Sequence, residues 1–180
     1  VELASLNSYP FGIDPFQHIN VIDYGDCYLN THKPESIEGS IYQHAKTIIE
    51  SGTKMLTFGG DHFISLPLLR AHAEVYGPVS LLQFDSHCDT WEPQGPIDHG
   101  TMFLTAVNEG LINVDNSIQV GLRTYNELDV GIEVIDVRYI HEQGIKKSVE
   151  RILKRIGETK CYLTFDIDFL AVSYTHLTLP

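Results

Sequence analysis

The sequence is poor in tryptophan (one), methionine (two) and cysteine (three), and its 180 residues carry only 12 lysines and arginines against 24 aspartates and glutamates. A formal net charge of -12 leaves little cationic surface to neutralise phosphates, which argues against nucleic-acid binding and against docking on an anionic membrane. A small cationic ligand suits that field better. No run of about 18 apolar residues occurs, so no transmembrane helix is expected. Cys27, Cys88 and Cys161 cannot all pair and form no C-x-x-C motif, which points to a reducing, cytoplasmic setting rather than a disulfide framework. The opening Val1-Glu2-Leu3-Ala4 offers neither an initiator methionine nor a basic leader, so the chain reads as cut from something longer.

What is present is an ordinary globular composition, 43% hydrophobic and 20% charged, sized for one well-buried domain. Short β-rich runs alternate with helical stretches, the pattern of βα units around a mainly parallel sheet. Strands are expected at 19–24, 55–58, 79–84, 118–121, 133–137 and 162–165. Helices are expected at 36–51, from Ser65 (as N-cap) to Tyr76, at 102–108 and at 145–156. Residues 1–170 read as one domain. Ala171 to Pro180 has neither a capping signal nor a helical period. It reads as a loop or as foreign sequence, and the second is preferred.

Three segments carry the chemistry. If Asp85-Ser86-His87-Cys88-Asp89 is extended, alternation puts Asp85, His87 and Asp89 on one face and turns Cys88 into the protein. Asp166-Ile167-Asp168 offers two more carboxylates on one side of a strand, and His62 follows Gly59-Gly60-Asp61 at another strand's end. In a parallel sheet such ends share one edge, where ligand sites form. Each piece alone has a plainer reading: Asp-x-Asp as a turn, His62 as a hydrogen-bonded structural histidine. Together, four carboxylates at one point would repel unless cations cancelled them. Mixed carboxylate and imidazole donors without thiolate suit Mn²⁺, or Fe²⁺ and Co²⁺, and two such ions would acidify a shared water. His99 reads either as a proton shuttle beside the metals or, with Asp98, as a cap for the next helix.

These motifs resemble the ureohydrolase family of arginase and agmatinase, and bacterial agmatinases most closely. The resemblance rests on Gly59-Gly60-Asp61-His62-Phe63, Phe84-Asp85-Ser86-His87-Cys88-Asp89-Thr90, Asp98-His99-Gly100-Thr101-Met102-Phe103 and Thr164-Phe165-Asp166-Ile167-Asp168-Phe169-Leu170. It implies a three-layer α/β/α fold and two Mn²⁺ ions per subunit. By it, His62, Asp85, Asp89 and Asp166 hold one ion and Asp85, His87, Asp166 and Asp168 the other, with Asp85 and Asp166 bridging. It further implies His99 as proton shuttle, agmatine cleaved to urea and putrescine in polyamine synthesis, and a homo-oligomer in the full-length protein. The family's Asp-Pro after Asp-x-Asp-x-Leu is replaced by Ala171-Val172, and its C-terminal substrate-clamping glutamate has no counterpart. Another guanidino substrate (guanidinobutyrate or arginine) or a metal-binding piece without turnover stand as alternatives. The loop 90–98 holds no lysine or arginine to receive the carboxylate of arginine, which favours agmatine.

Overall fold

The computed structural model describes residues 11–95 and 97–170, so the expectation about the 171–180 tail lies outside the described residues. Four parallel strands, β1 (Ser80–Phe84), β2 (Ile118–Leu122), β3 (Glu133–Asp136) and β4 (Cys161–Phe165), form one sheet in the order β3-β2-β1-β4. The helices are α1 (Ile37–Glu50), α2 (Ser65–Tyr76), α3 (Met102–Asn108) and α4 (Val137–Ile156). Helices cover both faces, giving the α/β/α layering expected.

Side-chain alternation decides which residues meet which helices. On one face Leu81 of β1 packs with Leu66 and Leu69 of α2 and with Phe103 and Ala106 of α3. Behind it α1 buries Ile41, Ala45 and Ile49 against Leu68 and Ala71 of α2. On the other face Leu82, Ile118, Val120 and Ile135 pack beneath Ile152, Tyr139 and Ile140 of α4. Such interdigitated aliphatic side chains contribute roughly 1.5–3 kcal/mol each on burial.

The topology itself makes a crevice. From β1 the chain moves through α3 to β2 and β3, then returns over α4 to place β4 on β1's other side. The strand order therefore switches direction at β1/β4, the position where α/β sheets bind ligands beyond their carboxyl ends. Register brings Phe84 opposite both Val120 and Phe165. The next residues of β1 and β4, Asp85 and Asp166, consequently leave the sheet at one level, that of Gly121 in β2.

Two expected strands are not formed. Residues 19–24 and 55–58 have no ladder partner among the described residues, and Leu56 and Phe58 are 82% and 89% exposed. Their β-rich composition is real, but a strand needs a neighbour to bond. β4 ends the sheet on its side, with Leu163 and Phe165 also exposed. Two further corrections concern helices. Ser65 begins α2 but does not cap it: a 3₁₀ turn at His62–Ile64 comes first, capped by Asp61, whose Oδ1 accepts the Phe63 N–H at 2.8 Å. Ser65 is instead buried and receives the Tyr162 hydroxyl. The helix expected at 145–156 extends back to Val137 across a kink at Gly144, whose φ of 81° no interior helical residue adopts.

Gly121 is the glycine the site depends on. Its φ is +95°, and a Cβ there would lie 2.4 Å from the Phe169 ring and 3.2 Å from the Asp85 carbonyl oxygen. Gly121→Ala is expected to destabilise the protein by about 2–4 kcal/mol, combining left-handed strain with overpacking. Denaturant titration checks this; a loss below about 0.5 kcal/mol, the range of neutral surface changes, would mean that β2 and the 167–169 turn do not approach so closely.

Candidate metal centre

Three segments close in the same way, two of them following β1 and β4. Asp61 Oδ1 accepts the Phe63 N–H at 2.8 Å, Asp85 Oδ1 accepts the His87 N–H at 2.8 Å, and Asp166 Oδ1 accepts the Asp168 N–H at 2.9 Å. Each aspartate spends one oxygen on a tight turn two residues ahead, a device natural to its short side chain. The second oxygen points away from that turn: those of Asp85 and Asp166 face His62, and that of Asp61 faces His99.

This geometry corrects one expectation. Residues 85–89 are not extended: Asp89 sits at φ +52°, and it is the turn that converges the side chains. Likewise β4 stops at Phe165, and Asp168 lies in a 3₁₀ turn, Ile167–Phe169, rather than on a strand. Arg123 braces that turn by donating to the carbonyls of Asp168 and Phe169. Cys88 does point inward and is buried.

Two groups of donors result. Single atoms of His62, Asp85 and Asp166 lie within 4.8 Å of one another, and so do those of Asp85, His87 and Asp168. Asp85 is common to both: its Oδ2 is 3.1 Å from His62 Nδ1, and its Oδ1 is 3.6 Å from His87 Nδ1. Asp89 joins the first side, with Oδ2 2.9 Å from His62 Nδ1. His87 Nδ1 lies 2.9 Å from Asp168 Oδ2. Asp166 falls in one group rather than both. His99 stands outside both groups on the rim, 74% exposed, its Nδ1 3.3 Å from Asp61 Oδ2. It is Asp98, not His99, that closes the local turn, through Gly100 N–H.

The donor set fits a cation. His62 Nε2 pairs with the Thr164 hydroxyl at 2.9 Å, which aims Nδ1 inward. That Nδ1 is the buried side-chain polar atom left without a hydrogen bond among the described residues, despite carboxylates 2.9, 3.1 and 3.7 Å away. Distance is satisfied but direction is not, the signature of atoms arranged around a common point rather than toward each other. Without a cation the charges fall on protons. Burial opposes a charged His62, yet the Asp85 and Asp89 carboxylates prevail and push it up to about 9. Burial, aided by the neighbouring Asp85 charge, raises Asp89 to about 6. Asp85 is held below the usual range: burial acts against this, but His62, the His87 N–H and the Gln83 amide all favour its charged form. Metal-bound histidines are likewise oriented by a hydrogen bond at their second ring nitrogen.

The centre opens into a cleft of about 660 Å³ whose described lining includes Trp91, Glu92, Gln94, Asp98 and His99 and holds no lysine or arginine. Sequence reasoning missed Thr164, Arg123 and the buried Gln83 and Gln119. Only the last two carried a signal, as amides inside strands otherwise apolar.

A parallel α/β/α sheet with a carboxylate–imidazole cluster at its switch point defines the class: a three-layer fold with a metal-competent strand-end cleft. Residues 2–176 match the arginase family, and the chain belongs to it. It is 51% identical to an agmatinase of Chromobacterium violaceum over 173 residues, covering 94% of this chain and 54% of that protein. A crystal structure of a hypothetical agmatinase from Burkholderia thailandensis superposes with a TM-score of 0.88 at 52% identity, covering 91% of this chain and 52% of that one. Proclavaminate amidino hydrolase from Streptomyces clavuligerus follows at 0.84 and 27%, covering 92% and 58%. The chain thus spans about half the length of these relatives. No described helix is long and apolar enough to cross a membrane.

Proposed function

We propose that this chain carries the catalytic centre of an amidinohydrolase that cleaves agmatine to urea and putrescine with two Mn²⁺ ions. His62, Asp85, Asp89 and Asp166 would hold one ion, and Asp85, His87, Asp166 and Asp168 the other. Bound there, the pair would supply a nucleophile by lowering the pKa of a shared water toward neutrality. The orphaned His62 Nδ1 among three carboxylates is the observation that carries this reading.

The chain's own residues account for the rest. Carboxylates on the rim, Glu92, Asp98 and Asp61, draw a cation toward the cleft. The described lining offers no partner for an arginine carboxylate, so a substrate whose far end is an amine is favoured. A neighbouring hollow shares Trp91, Glu92 and Gln94 and adds Glu127, extending the acidic wall. Hydrolysis must deliver a proton to the departing amine. With Nδ1 taken by Asp61, His99 keeps Nε2 free to carry that proton at the rim. The named agmatinases at 40–51% identity support agmatine as substrate.

The test is urea release by the metal-stripped full-length protein from agmatine, guanidinobutyrate and arginine, with and without Mn²⁺. Mn²⁺-dependent urea from agmatine, at least about tenfold above arginine, is expected, since an unpaired buried carboxylate costs more than about 1.4 kcal/mol. Bound Mn²⁺ with no urea from any of the three would leave a metal-binding protein without turnover.

A further inference from the structure

On the face of the sheet toward α2 and α3, two amides lie deep in the interior: Gln83 on β1 and Gln119 on β2 are 0% and 2% exposed. The register sets them side by side. Buried amides there need partners, and none of theirs serves the sheet ladder. Gln83 Nε2 donates to Asp85 Oδ2 at 2.8 Å and to the His87 carbonyl at 3.1 Å. Gln119 Nε2 donates to Gln83 Oε1 and, at 2.6 Å, to the Cys88 carbonyl. The direction is fixed by chemistry. Three of these acceptors have no hydrogen to give, so each amide must present its NH₂ group to them.

We propose that Gln83 and Gln119 form a buried amide relay that sets the donor geometry of the metal centre. They act as positioning residues through Asp85 and the 85–89 loop. The proposal rests on the metal reading above and deepens it. Asp85 is the ligand common to both donor groups, and its carboxylate plane is pinned at both oxygens: Oδ1 by the His87 N–H and Oδ2 by Gln83. The same two amides hold the carbonyls of His87 and Cys88, the two consecutive peptides that lead into Asp89 at its positive φ. One relay therefore governs three ligands, Asp85, His87 and Asp89, from beneath. A glutamate at 83 would set a second carboxylate against Asp85, and one at 119 would set a carboxylate against the Gln83 and Cys88 oxygens; either removes donors. A leucine or methionine would fill the space and leave the loop unheld.

The readout is Mn²⁺ binding to the metal-stripped full-length protein, followed by the electron paramagnetic resonance of free and bound Mn²⁺. Gln83→Met keeps volume and removes both donors. It should weaken Mn²⁺ binding about ten- to a hundredfold, the usual effect of losing a partner behind a metal ligand, and diminish the signal of the coupled pair. Gln119→Met should act in the same direction, and the double variant should lose less than the two single losses combined, because Gln119 acts in part through Gln83. Ile118→Val, on the sheet's opposite face, serves as the control for lost packing and should lower Tm without changing Mn²⁺ affinity. Wild-type affinity in folded Gln83→Met, or an equal loss in Ile118→Val, overturns the relay while leaving the metal centre standing. If Gln83→Met does not fold, Gln119→Met is judged by the same criterion. A wild-type protein that binds no Mn²⁺ overturns the relay and the metal reading together.

Discussion

Asp85→Asn should reduce bound Mn²⁺ from two ions to at most one and lower urea release by roughly a thousandfold, the equivalent of about 4 kcal/mol from uncompensating a buried charge cluster. Asp85 is 1% exposed and is the side chain shared by both donor groups, so its loss is felt on both sides. Asparagine is nearly isosteric and keeps the Oδ1 acceptor for the His87 N–H, which preserves the turn. At the other position its NH₂ would face the Gln83 NH₂ and His62, where an acceptor now stands. The variant therefore loses a negative charge and brings donors against donors, while the fold around it persists. Asp61→Asn is the informative comparison. Asp61 makes the same turn two residues ahead of its own N–H partner, but it belongs to neither donor group. It should keep two ions. Metal counting by dialysis and atomic emission, with circular dichroism on both variants, reads the result directly. Two ions retained in folded Asp85→Asn would refute the shared-ligand assignment.

Much of this centre was legible because polar residues at the ends of apolar runs have few other uses. Val79 to Phe84 reads as a buried strand, and a strand that ends in Asp-x-His-x-Asp puts charge where a sheet opens. The sequence marks these residues, and the structure gathers them through a different local geometry. An extended segment and a tight turn both bring Asp85 and His87 together, and only coordinates distinguish alternation from a turn closed by the aspartate itself. The strands expected at 19–24 and 55–58 show the limit from the other side. Composition reports whether a segment suits a pleated surface, but not whether a neighbour exists to bond it. Leu56 and Phe58 face solvent, as do Leu163 and Phe165 of the edge strand β4. The helical segment from Val137 to Gln143 was hidden differently, because Gly144 breaks the period and only the segment after it repeats cleanly. Gln83 and Gln119 stand out as amides in apolar strands, but their partnership does not, because pairing across β1 and β2 is a property of register.

Stripped of metal, the protein should become less heat-stable as pH rises from about 6.5 to 9, and Mn²⁺ should reverse the trend. His62 is raised from 6.5 to about 9 in the folded protein. A group bound more tightly to its proton in the folded state adds stability that is fully present below 6.5 and gone above about 9. Asp89 is raised from 3.8 to about 6, so its contribution vanishes in an earlier window, between about 4 and 6. Asp85 runs the opposite way, since its lowered value adds stability above 3.8 that is lost as pH falls. Between 6.5 and 9, His62 is thus the one of the three that changes state. Mn²⁺ must displace that proton to reach Nδ1, so binding at pH 7 should release about one proton from His62, and affinity should climb toward pH 9. Ligand-linked stabilisation rises with the ratio of free metal to its dissociation constant, so the Mn²⁺-induced increase in Tm should be larger at pH 9 than at pH 6.5. Scanning calorimetry under nitrogen, with chelator or with Mn²⁺, measures both curves. A chelated protein whose Tm is level across this range would show that no proton stands in for the cation at His62. The carboxylates around Nδ1 would then be balanced by some other charge.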